Sequence, residues 1–295
     1  IYDCFMFFDE EMLLDLRLNI MDKYVDKFVI TEATYMHNGN KKKLNFDISK
    51  FKKFKDKIIY IVVDQPPPDL FKIYEQDNRE KVESKKILNA YKREIFQIEK
   101  TKEGIVNANP EDIIIVSDLD EIPNLNKVNL NTVKQKLIFF EQKMYYYKLN
   151  LFYKSLPWFG SKACKKKYFK SPQWLRTIKN KKYPIWRLDT FFSINKYSDI
   201  LFVNDGGWHF TNIREPEDLE KKLLGFLHHV DYENSGLNLD DLKIMMREKR
   251  VMYNHSLDKK VDKWGKGEKL IKTELNEMPN YVKENLHKFK AWLDI

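Results

Sequence analysis

Cysteine is almost missing from this chain of 295 residues, with Cys4 and Cys164 its only two. A lone pair gives no disulfide framework and no thiolate metal cluster, and it makes reducing surroundings the default. No run of about 18 apolar residues occurs, so a membrane-spanning helix is not expected. The apolar stretch from Ile1 to Phe8 meets Asp9, Glu10 and Glu11 at once, which speaks against a secretory signal peptide. Internal repeats and low-complexity linkers are also missing. What remains is a globular composition: 43% hydrophobic and 14% aromatic residues, with the 33% charged residues spread along the chain. Disorder therefore does not dominate, and the length suits one large domain or two small ones.

The net charge is +9 and comes mostly from lysine. It is densest at Lys162, Lys165, Lys166, Lys167, Lys170, Arg176, Lys179, Lys181 and Lys182, interleaved with Tyr168, Phe169 and Trp174. Such a patch suits phosphates, an acidic glycan or nucleic acid, while a solvated loop face is the plainer reading.

The first half alternates strand and helix patterns, which predicts a mostly parallel α/β sheet flanked by helices. Tyr2 to Phe8 reads as a strand, followed by a helix with Asp9 at its N-cap and Met12, Leu13, Leu16, Ile20 and Tyr24 at helical spacing. Val25 to Glu32 and Ile58 to Val63 read as strands, and Pro66-Pro67-Pro68 as a stiff loop. A long helix is predicted from about Glu75 to Lys100, burying Val82, Leu88, Tyr91, Ile95 and Ile98. Later, Leu149, Leu151 and Tyr153 alternate, as do parts of Ile185 to Ile194, the pattern of antiparallel strands with one wet face. The stretch from Trp158 to Tyr183 reads as loop-rich. Pro216 suits the first position of a helix carrying Leu219, Leu223, Phe226 and Leu227. From Leu237 the chain is helical in character and ends in Tyr281, Leu286, Phe289 and Trp292, apolar positions for docking on the core. The patterns divide the chain into 1–123, 124–236 and a helical C-terminal extension, 237–295, within one domain; if it is an enzyme acting on nucleotides, the first part is the expected nucleotide-binding half and the second the metal and acceptor half of a single catalytic domain.

The segment from Asp112 to Pro123 carries the chemistry. Ile113, Ile114, Ile115 and Val116 form an unbroken β-branched run, as in a central strand covered on both faces. Asp118 and Asp120 then leave the sheet at its carboxyl edge, where ligands of open α/β folds bind. Two hard oxygen donors suit Mg²⁺ or Mn²⁺, although Asp-x-Asp alone is also a common strand-end turn. Asp205-Gly206-Gly207-Trp208-His209-Phe210 is the second punctuated motif. It offers His209 as a third metal ligand, with His228 and His229 as weaker candidates. A base for an acceptor hydroxyl would be a carboxylate, with Asp205, Asp189 and Asp231 the candidates and Asp205 preferred because it precedes two glycines. Glu32, Arg79, Ser117, Asp118 and Trp208 are candidates for holding a nucleotide-sugar donor, and Trp158 and Trp174 for stacking on sugar rings.

The combination resembles glycosyltransferase family 17. The residues that carry the likeness are Tyr2-Asp3-Cys4-Phe5 with Phe7-Phe8, Val25-Asp26-Lys27-Phe28-Val29-Ile30 with Glu32-Ala33, and the acidic segment from Asp112 to Pro123. Gly207-Trp208-His209-Phe210 and Met278-Pro279-Asn280-Tyr281-Val282, with Asn285 and Phe289, complete it. The resemblance implies a Rossmann-like fold of the GT-A type, a UDP-GlcNAc donor, a divalent metal on Asp118 and Asp120, and inversion at the anomeric carbon. Ser84-Lys85-Lys86 and Asp231 depart from the family pattern.

The leading expectation is a metal-dependent N-acetylglucosaminyltransferase acting on a glycan or glycoconjugate, without nucleic acid and without a membrane span in this chain. A metal-dependent nucleotidyltransferase and a non-catalytic basic binding module are the alternatives. A microbial or viral protein of this kind would be cytoplasmic; a piece of a longer eukaryotic protein would work in the Golgi lumen.

Overall fold

The structure, a computed structural model, describes residues 1–184, 186, 187, 189, 192–254, 264, 265 and 267–295. It is mixed α/β with one large sheet. In chain order its elements are β1 (Tyr2–Met6), α1 (Glu11–Met21), β2 (Lys27–Ala33), β3 (Ile58–Val63), α2 (Arg79–Glu99), β4 (Ile113–Val116), β5 (Glu121–Pro123), β6 (Leu137–Tyr146), β7 (Leu151–Trp158) and β8 (Lys162–Lys165). There follow α3 (Pro172–Thr177), β9 (Ile200–Thr211), α4 (Pro216–Gly225), α5 (His229–Ser235), α6 (Leu239–Arg247), β10 (Ile271–Lys272), α7 (Asn280–Glu284) and α8 (Leu286–Phe289).

The expected parallel sheet is present only in the first half. β3, β2, β1 and β4 lie side by side and parallel, but β8 then joins β4 antiparallel, and β6, β7 and β10 continue antiparallel beyond it. β9 runs parallel to β6 and antiparallel to β5. The sheet is therefore partly antiparallel, a correction to the mostly parallel expectation. The reason is connection length: residues 147–150 join β6 to β7 as a short turn, and a parallel pair needs a crossover of a dozen residues or more.

Burial follows the predicted strand patterns. All four residues of β4 are buried; Ile113 and Ile115 pack in the core on one face of the sheet, and Ile114 and Val116 in that on the other. Helix details differ more. α1 is capped by Glu10 rather than Asp9, without a side-chain cap bond, and Arg214 Nη2 meets both Asp9 Oδ1 and Glu10 Oε1 at 2.5 Å. In α2, Leu88 and Tyr91 are exposed, while Asn89, Ala90, Gln97 and Ile98 are buried. Polar ties set that rotation: Asn89 exchanges hydrogen bonds with the backbone of Phe71 (2.7 and 2.9 Å), and Gln97 donates to Thr31 O at 3.1 Å. α4 begins with Pro216 at its first turn, as expected.

The stretch from Trp158 to Tyr183 contains β8 and α3, so it is more structured than the loop expected, and its charges turn partly inward. Lys162 is buried and donates to Arg176 O and Ile178 O at 2.8 and 2.6 Å; burial pulls its ammonium down to about 8. The alternating pattern placed within Ile185 to Ile194 falls partly outside the described residues. At the C-terminus Val282 and Phe289 are buried in the main core, while Leu286 is exposed. Among the described residues no helix is long and apolar enough to cross a membrane.

Candidate active site

Arg17, fully buried on α1, organises the loop that follows β4. Its Nε and Nη2 donate to the two oxygens of Asp3 at 2.8 and 2.6 Å. Nη1 donates to the carbonyls of Asp118, Leu119 and Glu121 at 3.0, 3.2 and 2.8 Å, and Nη2 also meets Ser117 Oγ at 2.6 Å. One guanidinium thus ties three carbonyls of the acidic turn to α1, while Asp120 O accepts from the Phe210 N–H at 2.8 Å.

Glu121 supports the loop from its other end. Its carboxylate accepts from the Asp118 backbone N–H at 2.8 Å and from Trp158 Nε1 at 2.6 Å. Gly160 makes room for it, since a Cβ there would lie 2.0 Å from the Glu121 carboxyl carbon. Trp158 in turn stacks on His209, with ring centroids 4.8 Å apart and planes at 27°. β5 pairs with β9 so that Glu121 faces His209, which brings His209 Nε2 to 3.6 Å from Asp120 Oδ1. His209 Nδ1 is buried without a hydrogen-bond partner among the described residues.

Asp118, Asp120 and His209 thereby line one cavity of about 530 Å³, together with Glu10, Trp158 and His228. Asp118 is engaged there: Arg176 of α3 donates to its two oxygens at 2.9 and 3.2 Å and to Glu94 at 3.0 Å. Burial pushes the Asp118 carboxyl up to about 7, against the pull of Arg176 and with the push of Glu121, Glu94 and Asp120. For Asp120, burial acts upward but the adjoining His209 prevails, and the group is lowered. His209 is raised, because Asp120 outweighs the burial that would lower it. Among the described residues no three His, Cys, Asp or Glu side chains form a ready ligand set for a metal.

The other candidates lie elsewhere. Glu32 is buried and fully engaged by Lys42 (2.5 Å), Tyr60 Oη (2.8 Å) and the backbone N–H groups of Asn45 and Phe46 (2.7 and 3.0 Å), so it ties the chain after β2 and has no oxygen to spare for a nucleoside. Ser117 is buried against Arg17. Arg79 is exposed and pairs with Glu83 at 2.7 Å. Asp189 pairs with Arg187 and Lys196, both at 2.7 Å, outside the cavity. Asp205 and Trp208 line a different cleft: Trp208 because it alternates with His209, and Asp205 because the register of β9 against β6 shifts between Val203 and Gly207. Asp231 does not line the cavity itself, but its Oδ2 is 2.9 Å from Nδ1 of His228, which does.

Comparison with known proteins agrees with the motif reading. The family model for glycosyltransferase family 17 matches residues 1–294. The chain belongs to glycosyltransferase family 17. This is the family of the β-1,4-mannosyl-glycoprotein GlcNAc-transferase, and a glycosyltransferase binds a sugar donor and an acceptor. No curated protein matches this family 17 chain. Among solved structures, HddC from Yersinia pseudotuberculosis is similar over 75% of this chain and 98% of its own, with 12% identity and a TM-score of 0.34, too distant for argument.

The sequence singled out neither Lys222 nor the contact of Arg176 with Asp118 at this cavity. Lys222 lines the cavity from α4, with only its place one turn before Phe226 to mark it. Arg176 looked like one more charge in a basic run.

Proposed function

We propose that the chain is an inverting, metal-dependent glycosyltransferase that moves GlcNAc from UDP-GlcNAc to a glycan hydroxyl, on a sheet of the GT-A type. The observation that carries this reading is the meeting of Asp118 and Asp120, after β4, with His209, from β9, in one cavity. The oxygen and imidazole donors suit Mn²⁺ or Mg²⁺, and the 3.6 Å between Asp120 and His209 fits two donors each about 2.1 Å from a shared ion. His209 turns Nε2 to Asp120, and its Nδ1 has no hydrogen-bond partner among the described residues. Two protein ligands are enough for such an ion when substrate phosphates supply the others. When bound, the cation supplies positive charge to a departing diphosphate.

The chain's own groups do the rest. Lys222, at the cavity wall, adds charge for a phosphate. Trp158 holds His209 in place by stacking, and Glu121 holds Trp158. For the acceptor proton, His228 fits better than Asp205: its Nδ1 is committed to Asp231, which leaves Nε2 to take a proton at the cavity edge.

The test is UDP release from a panel of nucleotide sugars, with Mn²⁺ and with EDTA. UDP-GlcNAc should be preferred, and Asp120→Asn should lower release by about 10²-fold or more, as loss of a principal electrostatic contact does. Equal rates in EDTA, or an unimpaired Asp120→Asn enzyme, would overturn the metal assignment. Release of pyrophosphate in place of UDP would mean phosphoryl rather than glycosyl chemistry.

A further inference from the structure

β9 serves two faces. His209 lines the acidic cavity, and its neighbour Trp208 lines a separate cleft of about 620 Å³ on the other side of the strand. Tyr24, Asn126, Asp205, Glu277 and Asn280 share that cleft with Trp208. None of them lines the acidic cavity, although the cleft joins two of the sequence motifs, Gly207-Trp208 and Met278 to Tyr281.

The cleft is built rather than incidental. The Trp208 indole N–H donates to Glu277 O at 3.0 Å, so the ring is pinned in the wall. Asp205 is turned outward by a bulge. Phe140 of β6 lies opposite Val203 and Gln142 opposite Gly207, so Asn204, Asp205 and Gly206 oppose the single residue Glu141. Asp205 sits there at φ 47°, in the left-handed region that few non-glycine residues adopt. Its carboxylate is 66% exposed and forms a long ion pair with Lys143 Nζ at 3.9 Å, beyond hydrogen-bond range, so its oxygens remain accessible to a ligand in the cleft.

Charge and shape select the ligand. Four lysines (23, 127, 143 and 283) face four carboxylates (Asp22, Asp205, Glu277 and Glu284) around the cleft, which is balanced within a basic protein. A polyanion finds no field there. Indole and phenol rings beside carboxamides and carboxylates are instead the chemistry that takes a sugar, with C–H faces on the ring and paired hydroxyls on the planar polar groups. We propose that this cleft is a second carbohydrate site, which binds a neutral oligosaccharide on the face of β9 opposite the acidic cavity. The choice of carbohydrate rests on the glycosyltransferase reading; the existence of a built cleft does not.

Indole ¹⁵N labelling supplies the test, with the Trp208 N–H signal identified by Trp208→Phe and titrated with chitotriose, mannotriose and maltotriose. At least one trisaccharide should shift it saturably, and Asp205→Ala and Asn126→Ala should each weaken binding by about tenfold, the effect of one lost polar contact. Both positions are exposed, and their melting temperatures confirm folding. UDP-GlcNAc binding, followed by thermal shift with Mn²⁺, should be unchanged in both variants. A Trp208 signal that no trisaccharide moves, or equal affinity in both variants and the parent, would overturn the proposal. Sugar binding in the cleft without any UDP-GlcNAc response would count against the glycosyltransferase reading alone.

Discussion

Replacing Arg17 by alanine should cost this protein a large part of its stability. The side chain is fully buried and holds Asp3, itself fully buried, through two hydrogen bonds of 2.8 and 2.6 Å. Removing one member of such a pair leaves an uncompensated charge and costs about 3–5 kcal/mol. The same substitution strips the donor from Leu119 O, whereas Asp118 O keeps the Glu121 N–H at 3.1 Å and Glu121 O keeps Ser161 Oγ at 2.8 Å. At about 1 kcal/mol or more for that unsatisfied acceptor, the total reaches roughly 4–6 kcal/mol, against a whole stability of about 5–15 kcal/mol for a typical domain. Urea denaturation followed by tryptophan fluorescence reads this directly. Arg17→Lys keeps the charge but not the planar fork, so it should recover only part of the loss. The double variant Asp3→Leu, Arg17→Met removes the charge pair as a unit, an exchange that is often neutral. Its remaining deficit then measures the lost carbonyl contacts, chiefly that of Leu119 O. If Arg17→Ala unfolds within about 1 kcal/mol of the parent, the buried pair is not the organiser described here.

Asp118 has a folded-state value of about 7 against an ordinary 3.8, so the folded protein keeps a proton there that the unfolded chain releases. Its contribution is full below the lower value and is lost as pH rises through about 7. Asp118→Asn lacks that loss, so its melting temperature should gain on the parent's between pH 4 and 8; parallel curves would refute the shift. Gly160→Ala should cost about 1–3 kcal/mol by driving a Cβ into the Glu121 carboxylate, and it should lower UDP release through the displaced acidic turn; an unchanged Tm and rate would contradict this. Burial raises both thiols, Cys164 to about 12, so neither should react with a disulfide reagent at pH 8 until the protein is unfolded.

What the sequence made legible was local. Ile113 to Val116 reads as a buried strand because burial on both faces demands an unbroken apolar run, and Pro216 reads as a helix start because its missing N–H costs nothing there. Family membership was legible as well, because several motifs recur together along the chain. What escaped was anything decided by a partner distant in sequence. Arg17 sits in an amphipathic helix where a charge is expected to face water, yet it points inward because Asp3 and the acidic turn are waiting there. Leu88 and Tyr91 were placed inside α2 by hydrophobicity, but the ties of Asn89 to Phe71 and of Gln97 to Thr31 rotate the helix the other way. Asp205 illustrates the same limit at the site. Two glycines after an aspartate signal a tight turn, and so an exposed base, but the turn is a bulge within a twelve-residue strand. Gly207 is needed there at φ 144°, where a Cβ would meet Ile122 O at 2.2 Å. The register that this close approach to β5 imposes sends Trp208 and His209 to opposite faces, and so it divides one sequence motif between two cavities.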